Sequence, residues 1–111
     1  MTTTSTIPES TALALDALIT PTAHGIASRI LSKTGGGSLT LFAFDTGQGL
    51  AEHTAPFDAL VMVLDGRLLL TIGGVEVAAT PGTVVRMPAG VPHAVDAAEP
   101  ARMLLTMLRA S

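Results

Sequence analysis

The sequence predicts an all-β barrel, on three observations. Between residues 27 and 108, short runs rich in Val, Leu, Ile and Thr alternate with Gly and Pro turn signals, as is typical of β-strands. No helix pattern lies between these runs, which favours antiparallel strands in a sandwich or barrel. Several runs are apolar at both strand parities, which is typical of strands with two buried faces. The predicted strands cover residues 27–32, 38–45, 59–64, 67–72, 75–78, 83–87, 93–97 and 101–108.

Glycine-rich and proline-containing turns are predicted between several of these strands. They are the triplet at 35–37 and the pairs Asp65-Gly66, Gly73-Gly74 and Pro81-Gly82. Asp65 is therefore assigned a purely structural role. The runs ALVMVL, RLLLTI and MLLTML bury both faces in this scheme. One of those faces has to meet another subunit, so we expect a homodimer.

The chain begins with a polar stretch, residues 1–12, that is interpreted as a tail. After it, Leu15, Leu18 and Ile19 have helical spacing and predict a short helix of two or three turns, which Thr20-Pro21 would end. Everything from residue 13 to residue 111 is assigned to a single domain, because 111 residues suffice for one core and no linker interrupts them.

Composition excludes several classes of function. The formal charge is −3 and the six basic residues are scattered, so no nucleic-acid-binding surface is expected. Cysteine is absent, which removes disulfides and zinc-thiolate sites. No run approaches the ~18 apolar residues of a membrane span, and the first ten residues lack a signal-peptide pattern, so a cytoplasmic location is expected.

Two segments carry a pair of spaced motifs. In the first, at residues 47–66, Gly47 is followed after five residues by His53, after one by Ala55, after three by Ala59 and after six by Gly66. These intervals resemble the first motif of the cupin family, which has a second His and a Glu where this chain has the two alanines.

The second segment, GTVVRMPAGVPHAVDA at residues 82–97, has Gly82, Pro88, Gly90, His93 and Ala97 at the intervals of the second cupin motif. Fifteen residues, 67–81, separate the two segments. The resemblance covers about residues 38–108. Within the family, the chain is most similar to small stand-alone, RmlC-like cupins that are mostly uncharacterised. It implies a double-stranded β-helix, or jelly-roll barrel, that is commonly a homodimer.

The resemblance also implies a site. Cupins hold a divalent metal (Fe, Mn, Ni, Cu or Zn) with three imidazoles and a carboxylate, and the matching positions here are His53, Ala55, Ala59 and His93. The ligand set is degenerate, since alanine cannot coordinate. His53 and His93 are the metal-ligand candidates, and Ala55, Ala59 and Val61 are expected to line a ligand pocket.

Three residues are candidates to complete the metal sphere. Asp58 precedes the position of the family's Glu by one residue, so strand parity turns it away from the cavity unless a bulge re-aims it. Glu52 has the same parity problem beside His53, and Gln48 lies in the loop before the motif. For Asp58 the competing interpretation is a cap on the turn at Pro56-Phe57.

Several residues have a structural interpretation beside a functional one. His53 and His93 could be barrel-lining imidazoles without chemistry, and His24 is interpreted as a loop residue. Arg86 is interpreted as a solvent-facing strand residue, and the functional alternative is that it binds a carboxylate inside the barrel. The methionines Met62, Met87, Met103 and Met107 and the aromatic residues Phe42, Phe44 and Phe57 are interpreted as packing, with a minority lining a pocket.

These observations leave more than one function open. The first is a dimeric barrel that binds a small organic molecule, because two alanines enlarge and dry the cavity. The alternative is a metal-dependent oxidoreductase or decarboxylase, with His53, His93 and Asp58 as catalytic candidates. A metal-free isomerase is a third possibility, in which a histidine base works opposite Asp58, Glu52 or water, since the chain has no tyrosine.

Overall fold

The computed structural model describes residues 6–109 and consists almost entirely of β-strands. The all-β prediction is therefore confirmed. All strand pairings are antiparallel. The strands are β1 (Ile26–Thr34), β2 (Gly37–Phe44), β3 (Gly49–His53), β4 (Phe57–Asp65), β5 (Leu68–Ile72), β6 (Val75–Ala79), β7 (Val84–Met87), β8 (His93–Ala97) and β9 (Ala101–Arg109).

The strands form two sheets. The five-stranded sheet has the order β1-β2-β9-β4-β7, and the four-stranded sheet has the order β3-β8-β5-β6. The chain crosses from one sheet to the other several times, for example between β4 and β5 at Asp65-Gly66. This arrangement is the double-stranded β-helix, or jelly-roll barrel, that the motif spacing implies.

The main core lies between the inner faces of the two sheets. Along β4, Ala59, Val61 and Val63 are buried while Met62 is 39% exposed, so the strand alternates as an antiparallel strand with one buried face does. Alternate residues of β5 behave in the same way. Within a single chain, the expectation that these runs bury both faces is thus only half met, because Met62, Leu69 and Leu108 lie on the surface.

A second, smaller core covers part of the outer face of the five-stranded sheet. Leu31, Leu41 and Leu104 are buried there beneath Leu18 and Ile19. Ile7 also packs against this cluster, and its backbone N–H donates to the carbonyl of Leu31 at 2.8 Å. The described part of the polar tail is therefore attached to the sheet, whereas residues 1–5 lie outside the described residues.

The predicted N-terminal helix is much shorter than two or three turns. It is a single 3-10 turn, Leu15–Ala17, and no side chain caps its first residue. The neighbouring residues Leu18 and Ile19 both contact the outer core cluster. The three residues of the turn are not buried, and a short helix has little stability without packing or a cap.

Strand β3 is absent from the sequence prediction. Its residues, Gly49–His53, have little β-branched character, and its last three residues are exposed, so hydrophobic alternation does not reveal it. The first motif is the signal that could have located it, since that motif expects His53 on a strand. The strand is found through its pairing with β8.

The motif glycines serve the turns of the barrel. Gly47, Gly66, Gly82 and Gly90 all have positive φ angles. At Gly66 a Cβ atom would also lie 2.2 Å from the carbonyl oxygen of Pro100, so no other residue fits there without a backbone shift. The adjacent Asp65 ends β4 and accepts hydrogen bonds from the guanidinium of Arg102, which adds an ion pair to the predicted turn role. The spacing of these motifs thus reflects backbone geometry, independent of any metal.

Candidate functional site

A small cavity lies inside the barrel between the two sheets. Its volume is about 40 Å³ and its wall is mostly apolar. Both motif histidines, both motif alanines and three methionines line it together with three aliphatic residues. The lining residues are Leu50, His53, Ala55, Ala59, Met87, His93, Val95, Met103, Leu105 and Met107.

The two histidines face each other across neighbouring strands. His53 at the end of β3 and His93 at the start of β8 are opposite residues in the register, and their ring centroids are 4.4 Å apart at an interplanar angle of 70°. The register of β3 shifts between Leu50 and His53, and such a bulge changes which residues face inward. His93 is only 4% exposed whereas His53 is exposed, so the pair reaches from the interior to the mouth.

Hydrogen bonds define the tautomer that each ring adopts in its neutral form. The Nδ1 atom of His53 lies 2.8 Å from the carbonyl oxygen of Ala51, and Nδ1 of His93 lies 3.1 Å from that of Val91. A carbonyl oxygen can only accept, so each Nδ1 carries the proton. Each neutral ring then keeps the lone pair on Nε2, which is available to a metal ion or a hydrogen-bond donor.

The alanines take the places beside the histidines that the cupin motif gives to ligands. Ala55 follows β3, and its carbonyl oxygen accepts from the N–H of Gly90 at 2.9 Å, which joins the two motif segments. Ala59 is 2% exposed on the inner face of β4. Val61, which was also expected to line the pocket, faces the interior two residues further on but is completely buried in the core and lies outside the cavity wall.

None of the three candidate substitute ligands lines the cavity. Asp58 faces away, as strand parity predicts, and its Oδ1 accepts from the N–H of Ala89 at 2.9 Å and lies 3.6 Å from Nη1 of Arg86. Glu52 is exposed, so it also lies away from the cavity, as strand parity predicts. Gln48 precedes β3 at the end opposite to His53, where its carbonyl oxygen accepts from Ala97.

The remaining polar candidates lie outside the cavity. Arg86 is on the surface with 61% of its side chain exposed, which agrees with the solvent-facing interpretation. His24 is an exposed loop residue with φ of 59°, and its backbone N–H donates to Asp45 at 2.7 Å. This bond and a second one from the N–H of Thr46 lower the pKa of Asp45, since both stabilise the carboxylate.

A second depression, which we call the mouth groove, adjoins the cavity. It has a volume of about 260 Å³ and shares Met107 with the cavity. Two cationic residues, Lys33 and Arg109, line it with hydroxyl-bearing and apolar side chains. Neither cation forms an ion pair within residues 6–109, where the ion pairs are Arg86 with Asp58 and Arg102 with Asp65. The full lining is Ile30, Lys33, Thr34, Gly35, Gly37, Ser38, Thr40, Phe57, Met107 and Arg109.

Sequence reasoning missed the mouth groove. Lys33 and Arg109 are far apart in the chain, and only the pairing of β1 with β2 and of β2 with β9 brings them to one edge. Arg109 is fixed there by its Nε, which donates to the carbonyl of Gly35 at 2.9 Å. No motif marks either residue.

Fold and site together define a small jelly-roll barrel with a histidine pair in its lumen. Comparison with known families assigns it: residues 40–107 match the cupin domain, and the chain belongs to the cupin family.

Similar solved structures agree with this assignment. A conserved protein of unknown function from Streptococcus pyogenes is 31% identical, with a TM-score of 0.89 and coverage of 100% of this chain and 97% of that one. A cupin superfamily protein from Desulfitobacterium hafniense is 25% identical, with a TM-score of 0.86 over 94% and 95% of the two chains. A cupin 2 conserved barrel domain protein from Leptotrichia buccalis is 33% identical with a TM-score of 0.79, over 84% of this chain and 45% of that one. No curated protein sequence matches the chain.

The usual cupin metal set does not fit this chain. Two of the four ligand positions are alanine. Within residues 6–109, no group of three or more histidine and acidic side chains could hold a metal ion. Hard and borderline divalent ions need such oxygen or nitrogen ligands in sufficient number. The residues present therefore do not supply the ligands of the cupin divalent-metal centre. Among the described residues no helix is long and apolar enough to cross a membrane.

Proposed function

We propose that this protein is a binding protein for a small organic anion, held in the mouth groove with its other end at the histidine pair. The observation that carries the proposal is a row of residues across the inner face of the five-stranded sheet. Successive strand partners in this row are Lys33, Ser38, Met107, Ala59 and Met87.

The row sets an upper limit on the length of the ligand. Neighbouring strands are about 4.8 Å apart, so Lys33 and Ala59 are separated by roughly 14 Å along the sheet. The cavity itself is too small for an organic molecule, since ligand pockets usually measure some hundreds of Å³. The mouth groove comes close to that size. A guest therefore lies mainly in the groove and reaches the cavity with one end.

The lining of the groove favours an anion with an apolar chain. Lys33 and Arg109 provide the positive charge, and neither is neutralised by a carboxylate within residues 6–109. Phe57 and Met107 provide apolar surface between the cations and the cavity. Short carboxylates combine these two properties.

Hexanoate tests the proposal, with 1-hexanol as the uncharged probe of equal chain length. Selective ¹³C labelling of the methionine methyl groups places reporters in the cavity and groove, at Met107 and Met87, and a control on the outer face, at Met62. We expect hexanoate to shift the Met107 signal, to leave the Met62 signal unchanged, and to bind more tightly than hexanol.

A charge variant completes this experiment. Lys33→Gln should weaken hexanoate binding about three- to tenfold, because it removes one charge-assisted contact. Arg67→Gln removes an equal charge outside the groove and should leave binding unchanged. The proposal is wrong if hexanoate at about 10 mM, a weak-binding limit near −3 kcal/mol, leaves the Met107 signal in place. It is equally wrong if hexanol binds as well.

We propose in addition that the protein is a homodimer through the outer face of the five-stranded sheet. Met62 and Val84 are opposite each other in the register and are 39% and 60% exposed, and Leu60 and Leu108 lie on the same face. A two-fold axis would bring this patch against itself. Sedimentation should give a dimer for the wild type and for Val75→Glu, a variant of the other sheet, but a monomer for Met62→Glu. A monomeric wild type would exclude the dimer.

A further inference from the structure

We propose that the cavity is a copper(I) site, formed by the Nε2 atoms of His53 and His93 and the thioether sulfurs of Met87 and Met107. This inference is independent of the organic anion. It starts from the disagreement between this chain and the cupin ligand set: the carboxylate position is lost, but sulfur lies beside it.

The strand register places both sulfur-bearing residues next to the missing carboxylate. Ala59 is the residue at that position, and its strand partners are Met87 on β7 and Met107 on β9. Opposite residues on antiparallel strands share a face, with Cβ atoms about 4.5–5.5 Å apart. The two methionine side chains therefore flank the Ala59 methyl group from both sides. All three residues line the cavity with the histidines.

The histidines complete a set of four neutral donors. Their Nδ1 atoms are bound to the carbonyls of Ala51 and Val91, so the neutral rings offer Nε2. Their centroids are 4.4 Å apart, close enough for a single ion to contact both rings. The exposure of His53 leaves an entry path from the mouth.

The chemistry of these donors selects the metal. Thioethers are soft ligands and favour Cu(I), whereas Mg²⁺, Ca²⁺ and Mn²⁺ require oxygen. Among residues 6–109 no carboxylate lines the cavity, so a monovalent ion suits its wall better than a divalent one. A cavity of about 40 Å³ also has room for an ion, although not for an organic guest.

Anaerobic titration with Cu(I) tests the site, with bicinchoninate as a coloured competitor. The wild-type protein should withdraw one equivalent of Cu(I) per chain from the competitor. The double variant Met87→Leu with Met107→Leu should bind at least about tenfold more weakly, since each change removes a sulfur while nearly preserving volume. Met62→Leu, on the outer face, is the matched control and should bind like the wild type.

Two further measurements keep the result unambiguous. His53→Ala alters an exposed side chain, so it should preserve the fold and still lose Cu(I) affinity about tenfold or more. X-ray absorption of the loaded protein should show both sulfur and nitrogen neighbours. The proposal is overturned if no Cu(I) is withdrawn, if the double methionine variant competes as well as the wild type, or if Zn(II) displaces the copper. Lys33→Gln, which lies in the mouth groove and outside the cavity wall, should weaken hexanoate binding and leave Cu(I) binding unchanged, so the two proposals fail separately.

Discussion

Removing the carboxylate of Asp58 should destabilise the protein by loosening the loop that leads into His93. The sequence makes Asp58 a candidate ligand and base, but in the structure its Oδ1 accepts from the backbone N–H of Ala89 at 2.9 Å. Gly90, the next residue, donates to the carbonyl of Ala55 at 2.9 Å. These two bonds attach the second motif segment to the first. Asp58 is therefore a positioning residue for the loop.

The magnitude follows from the partners of Asp58. A hydrogen bond to a charged acceptor contributes about 1.5–3 kcal/mol, and water can partly replace a side chain that is 38% exposed. We expect Asp58→Ala to lower the free energy of unfolding by about 1–2 kcal/mol. For a chain of 111 residues, a loss of about 1.5 kcal/mol lowers Tm by roughly 6 °C.

Two companion variants separate the hydrogen bond from the ion pair. Asp58→Asn keeps an acceptor for Ala89 and should lose about half as much stability as the alanine variant. Arg86→Gln removes only the exposed ion pair and should cost at most about 0.5 kcal/mol. Urea denaturation followed by circular dichroism suits a chain without Trp or Tyr. The reasoning fails if Asp58→Ala costs no more than Arg86→Gln.

Two other predictions test the core and a surface loop. Leu70→Ala should lower the free energy of unfolding by about 3 kcal/mol, because Leu70 is fully buried. Leu69→Ala, on the exposed face of the same strand, should lower it by less than about 1 kcal/mol. Equal losses in urea denaturation would contradict the assignment of the two faces. Asp45→Asn should be less stable than the wild type at pH 7, because the pKa of Asp45 is lower in the folded state than in the unfolded state. The ionised carboxylate therefore stabilises the fold at pH values above its unfolded pKa of about 3.9. This contribution disappears as the pH falls through the folded pKa. Urea denaturation at pH 7 and at about pH 2.5 measures the difference, and a gap that stays equally large in acid would show that the Asp45 carboxylate is not its source.

Much of the fold could be predicted from the sequence because turn residues and apolar strands are local signals. Eight of the nine strands in the described part of the chain have predicted counterparts, and the motif spacing identifies the jelly roll. Strand β3 was not predicted, because its partly exposed residues show no alternation of apolar and polar side chains. The helix was overpredicted because Leu18 and Ile19 pack on a sheet whose position no local pattern reveals.

The site was harder to predict than the fold. Motif spacing grouped His53, Ala55, Ala59 and His93, and in the structure these four residues line one cavity. The methionines beside Ala59 and the cations of the mouth groove depend on strand order, since β9 lies between β2 and β4 in the sheet. That order is a property of the whole barrel. Sequence alone could name Met87 and Met107 as packing residues but could not place them next to a missing ligand.

Metal content is the most direct test of the central claim, that two imidazoles share the lumen with methyl groups at the other two ligand positions. Wild-type protein and the folded double variant Ala55→His with Ala59→Glu should be compared by elemental analysis for Fe, Mn, Ni and Zn. We expect less than about a tenth of an equivalent in the wild type and close to one equivalent in the restored variant. A full equivalent in the wild type, or none in the restored variant, would contradict the account.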